Sequence, residues 1–176
     1  TSRRPAVAPG IPSYEASFRT FSTRVLLDRA PTGDAAADAA ALVGSIRRGR
    51  MFTAIDAIAG PAALDFHAAR GPARIEMGEE APPGPAVIRV RAATPAGARI
   101  VLLSNGREVA AVDGGTLDAD LPHAAGAYRV EVRVPGGPGD PPVPWLVSNP
   151  VYFLAPRAAA PVEKRSASLP LPSEVG

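Results

Sequence analysis

Cysteine is absent from the 176 residues, which excludes disulfide staples, thiolate nucleophiles and Cys-based zinc sites. Histidine is scarce, with only His67 and His123, so a His-rich metal centre has little to draw on. Aromatic residues make up 5% of the chain, too few for the stacking platforms of single-stranded nucleic-acid binders. No apolar run approaches the roughly 20 residues of a membrane span, and no signal peptide is visible. Excess charge of one sign is missing as well. Nineteen basic residues stand against 17 acidic ones, whereas nucleic-acid binders concentrate Lys and Arg on one face. The densest basic cluster, Arg47, Arg48 and Arg50, reads as a solvated helix end whose cations complement the macrodipole. Neither nucleic acid nor a membrane is therefore an expected partner.

What the chain has in quantity is proline, 21 residues, and glycine, 17, a composition of short strands and many turns. From Val87 to Val134 three apolar-alternating runs are separated by turn dipeptides. Val87 to Arg91 sets Ile88 and Val90 on one face and Val87, Arg89 and Arg91 on the other. Ala98 to Leu103 is almost unbroken apolar sequence, followed by Asn105-Gly106 and by Arg107 to Val112. Asn-Gly between two such runs signals a hairpin, because both central residues of a type I′ turn need positive φ. Tyr128 to Val134 alternates throughout, with Tyr128, Val130, Val132 and Val134 expected inside and Arg129, Glu131 and Arg133 facing water. Gly126-Ala127-Tyr128 also suits an immunoglobulin-like strand opening, in which a Tyr bonds back to upstream backbone; a plain buried Tyr fits equally. These signals predict a mainly β fold, an Ig-like antiparallel β-sandwich, preceded by a short strand-helix segment.

Residues 1–12 read as a linker, and the chain as a piece of something longer. In 13–58, Tyr14, Phe18 and Phe21 cluster ahead of a strand at Ser22 to Leu27. Asp34 is an N-cap type residue, and Ala35 to Arg48 is a helix with Ala39, Leu42, Val43 and Ile46 on one face, closed by Gly49. Met51 to Ile55 is a short strand. The sandwich occupies 59–155, with strands at Ala63 to Ala68, Arg74 to Met77 and Thr116 to Leu121, a turn at Pro122, and a closing edge of Trp145 to Ser148 and Val151 to Leu154. Residues 156–176 read as a mobile tail.

Few residues could carry chemistry. Asp65 and His67 share a strand face, a geometry open to a metal or an acid-base couple. A catalytic metal needs about three protein ligands, and no third is nearby in sequence, so polar residues on an exposed strand face are the reading adopted. His123, beside Pro122, is read as a turn residue. Ser45 lies on the helix without a Gly-x-Ser-x-Gly elbow. Gly136 to Gly139 is loop, since its prolines lack the N–H donors of a phosphate cradle. Glu79-Glu80 reads as a solvated turn. The sequence assigns no catalytic, cofactor-binding or metal-ligating residue and no cofactor.

Three segments together resemble a known family: Pro12 to Arg19; Arg48-Gly49-Arg50-Met51-Phe52-Thr53-Ala54 with Gly60-Pro61; and Trp145-Leu146-Val147-Ser148-Asn149-Pro150-Val151-Tyr152. They look like the carboxy-terminal portion of PHP-type metal-dependent phosphoesterases of the CehA/McbA-like metallohydrolase group. The resemblance implies that 13–58 is the strand-helix-strand remnant of a missing PHP-like barrel, and that the chain is a non-catalytic accessory domain of a hydrolase parent. The family's metal ligands would precede Pro12, and Asp65-Phe66-His67 matches its final Asp-x-His motif in letters only. The expected partner is the missing N-terminal catalytic domain, docked on Tyr14, Phe18, Phe21 and the apolar helix face, through which a homo-oligomer could also form. The rival expectation is a free-standing module that stacks a glycan or protein on Trp145 and Tyr152.

Overall fold

The structure, a computed structural model, describes residues 20–155. Tyr14, Phe18, the linker and the tail fall outside that range. Twelve strands and one helix follow in order: β1 (Ser22–Val25), α1 (Ala35–Arg47), β2 (Met51–Ala54), β3 (Ala63–Arg70), β4 (Ala73–Glu76), β5 (Glu80–Ala81), β6 (Gly84–Ala93), β7 (Arg99–Ser104), β8 (Arg107–Asp113), β9 (Thr116–Ala124), β10 (Gly126–Arg133), β11 (Leu146–Ser148) and β12 (Val151–Phe153). The mainly β expectation holds, and the strands form a two-layer sandwich.

The smaller sheet runs β4-β3-β6-β9, antiparallel throughout. In the larger sheet β10 is central. One of its edges carries β7 and then β8, while the other is shared by β11 and β12. Asn149-Pro150 causes that split, since proline has no N–H for a ladder. Beyond β11 the sheet continues through β2 to β1, and beyond β12 it ends in a parallel pairing with β5.

The core lies between the sheets and follows the alternation. Phe66, Ile88 and Val90 from the smaller sheet and Ile100, Leu102, Val130, Val132, Leu146 and Val151 from the larger one are fully shielded from solvent. Each such side chain contributes roughly 1.5–3 kcal/mol of transfer free energy. Tyr128 and Phe153 meet edge to face with centroids 5.7 Å apart, and the Tyr128 hydroxyl accepts a long 3.4 Å bond from the Ala125 N–H. Asn105 and Gly106 have φ of 49° and 83°, the conformation the β7-β8 hairpin requires. Asn105 also anchors β10, its Oδ1 accepting from the Ala127 N–H at 3.0 Å.

Two local expectations are corrected. β9 runs through Pro122 and His123 to Ala124, because β6 has no further neighbour and β9 is an edge strand, where a missing N–H is tolerated. Glu131, expected in water, is 6% exposed. Its two carboxylate oxygens accept from Arg129 at 2.8 Å and Arg133 at 2.9 Å. These neighbours lie two residues away on the same strand face, and they neutralise it under their own stems.

Candidate functional site

The Asp65-His67 pair sits on the outer face of the smaller sheet. The register sets His67 opposite both Glu76 and Arg89, and Asp65 opposite Arg91. The two side chains do meet, His67 Nδ1 lying 3.2 Å from Asp65 Oδ1. The second ring nitrogen is also engaged, since Arg74 Nη1 lies 3.2 Å from His67 Nε2. A guanidinium can only donate, so Nε2 accepts and Nδ1 carries the proton towards Asp65. Arg74 further holds Asp65 and Glu76. With its lone pair occupied and a cation beside it, His67 presents no ligand to a metal. Among the described residues there is no group of three or more His, Cys, Asp or Glu placed to hold an ion.

The rest of this face is a similar ionic lattice. Arg91 grips Asp118 with two bonds of 2.8 and 2.9 Å, which hold the Asp118 carboxyl below the usual carboxylate range. His123 is exposed on β9, and Ser45 is buried on α1 with its hydroxyl 3.4 Å from Arg48 Nη2. Glu79, read as solvated, accepts from the Glu76 N–H at 2.9 Å. Nor is Arg50 a solvated helix-end cation: it pairs with Asp28 and lies 3.9 Å from Glu76.

Two of the three segments carrying the family resemblance meet at one junction; Pro12 to Arg19 lies outside the described residues. Asn149 Nδ2 donates to the Gly49 carbonyl at 3.0 Å, across 100 residues of sequence, and the Asn149 N–H reaches Met51 O at 3.1 Å. Gly78 packs into the same corner, its N–H bonded to Pro150 O at 2.7 Å. Ser148 Oγ accepts from the Val130 N–H at 2.8 Å. Trp145 donates its indole N–H to Ala59 O at 2.9 Å, just before Gly60-Pro61, and is 1% exposed. It therefore packs the core and offers no stacking surface, whereas Tyr152 is half-buried on β12. These polar residues join the helix-strand corner to the sandwich edge, and they do not surround a reactive space.

Helix α1 is turned over. Its sequestered positions are Asp38, Ala41, Gly44 and Ser45, small or polar residues, whereas Leu42, Val43 and Ile46 are 42%, 44% and 44% exposed. Phe21 is 57% exposed. Helix faces ordinarily turn their apolar stripe inward. Here the close approach of α1 to its own sheet uses the small residues, which sends the aliphatic stripe outward.

A cleft of about 530 Å³ opens where β1 and β2 overhang one end of the smaller sheet. Leu26, Phe52 and Leu64 line it together with Ala62, Ala63, Ala92 and Gly115, and Arg24, Asp65 and Arg91 stand among its walls. No family model, curated protein or solved structure matches the chain.

Proposed function

We propose that this chain is the non-catalytic, carboxy-terminal accessory domain of a larger PHP-type metal-dependent phosphoesterase, and that the outward face of α1 docks on the catalytic barrel. The inverted helix carries this reading. Three branched aliphatic side chains held in water on a face of regular helical spacing serve no purpose in the sandwich itself. Covering them further would contribute about half of the roughly 1.5–3 kcal/mol that full burial of each side chain brings. The residues that resemble the family's closing motifs support the same reading, since they lock α1 and β2 rigidly to the sandwich. A docked barrel would then be braced rather than tethered. His67 is committed to Arg74 and Asp65 and takes no part in hydrolysis.

The rival, a free-standing module stacking a glycan or protein on Trp145 and Tyr152, is left with the half-buried Tyr152, since Trp145 is buried. Two experiments test the proposal. The purified chain is expected to leave p-nitrophenyl phosphate intact with Mn²⁺ or Zn²⁺ present; metal-dependent turnover abolished by His67→Ala would overturn the proposal. Reading the coding sequence upstream of Thr1 is expected to show His-x-His and Asp-x-His motifs, and a stop codon there would remove the parentage.

A further inference from the structure

The end cleft poses a question that docking through α1 leaves open. Arg24 pairs with Phe52 across β1 and β2, and Ser22 with Ala54, so Arg24 shares the inner face of the larger sheet with Phe52 and Ala54, both core residues. The space in front of Arg24 is kept open by small residues, Ala62, Ala63, Ala92 and Ala93. Gly115 closes one corner to any side chain, because a Cβ there would come within 2.5 Å of Ala92 O.

The charged groups around the cleft are not equivalent. Arg91 is committed to Asp118 and to the Val90 carbonyl, and Asp65 to Arg74 and His67. Arg24 binds Asp56 through Nη2 alone, at 2.8 Å. Its Nε and Nη1 hydrogens have no partner among the described residues, and its side chain is 46% exposed. The cleft thus combines an apolar lining, a volume within the roughly 300–1,000 Å³ usual for small-molecule sites, and, at its wall, a guanidinium whose one partner among the described residues is Asp56.

We propose that this cleft binds a small amphipathic carboxylate, with its flat apolar body on Leu26 and the alanines that overlie Phe52 and Leu64, and its head group on the donors of Arg24 that Asp56 leaves. A planar guanidinium suits a carboxylate because both present two parallel bonding directions. Asp65 and Asp118 already have Arg74 and Arg91 as cations, and Asp56 shares Arg24 with the ligand. The site is independent of whether α1 docks on a barrel.

The test is an amide-resolved NMR titration of the full chain with 1-naphthoate and, separately, with neutral 1-naphthylmethanol. Saturable shifts are expected at Leu26, Phe52 and Leu64, with naphthoate binding about tenfold more tightly than the alcohol, the scale of one charge-assisted hydrogen bond. Arg24→Gln, at an exposed side chain, should erase that preference while leaving the spectrum folded. Ala63→Leu, also at an exposed position, should weaken both ligands by narrowing the mouth. Shifts confined to Leu42, Val43 and Ile46, no saturable shift at all, or a naphthoate preference that survives Arg24→Gln would each overturn the proposal.

Discussion

Gly78 is the most confined glycine among the described residues. A Cβ added there would lie 1.8 Å from the Arg48 carbonyl oxygen, and its φ is +86°. Steric exclusion and a left-handed backbone therefore act together at one residue, where the β4-β5 turn meets the corner between α1 and β2. Gly71 has a similarly positive φ of +57°, but nothing lies within 4 Å of where a methyl would stand, so it isolates the backbone cost. Gly71→Ala should cost about 1 kcal/mol, and Gly78→Ala should cost about 2 kcal/mol or more, as strain at an over-determined site does. Urea unfolding of both variants checks the ranking; equal midpoints would mean that the corner yields easily and does not lock α1 to the sandwich.

At the scale of the element, α1 is started by a compact polar knot. Asp34 accepts from the Ala37 N–H at 2.9 Å as N-cap. Asp38 reaches back over the preceding turn to the N–H groups of Thr32 and Gly33, both within 3.0 Å, and to the Thr32 hydroxyl. The Thr32 N–H is the largest influence holding the Asp38 carboxyl below its ordinary value of 3.8, with the Gly33 N–H acting the same way and partial burial opposing. A lowered native pKa contributes stability that is present above the unfolded value and lost as pH falls through the native one. Thermal stability should therefore decline as pH drops below about 4, and Asp38→Asn should flatten that acid limb. Wild-type and variant melting curves that stay parallel from pH 5 to 2 would show that the turn does not depend on the charge. The helix itself was legible from its capping residues and 3.6-residue spacing. That its apolar face would be left for a partner was an expectation drawn from the family resemblance; the small side chains of Ala41, Gly44 and Ser45 that turn inward instead acquire meaning only when a strand lies close against them.

At the scale of the whole molecule, one side chain reports on the join between the amino-terminal segment and the sandwich. Trp145 is the single tryptophan. It sits in the core at 1% exposure and is fastened to Ala59, so its emission should be blue-shifted and nearly insensitive to iodide. Ready quenching in the native state would show that β11 opens away from the loop before Gly60-Pro61. Of the two readings open to this ring, packing and stacking, the structure shows packing. An aromatic residue beside a Pro/Gly loop has no periodic neighbours to declare its direction, and only the approach of Ala59 settles it.

The sequence by itself determined the local grammar of this protein. Alternation set the inward residues of β6 and β10, Asn105-Gly106 set the β7-β8 hairpin, and Asp34 and Gly49 set the ends of α1, since each depends on backbone geometry within a few residues. The tertiary structure alone decided that Glu131 is hidden, how both nitrogens of His67 are occupied, and how Gly49, Gly78 and Asn149 meet at one corner. It alone decided that Arg24 faces an open apolar cleft. Those outcomes rest on contacts between residues as many as 100 positions apart, and their energies arise only once two sheets have closed on each other and excluded water from between them.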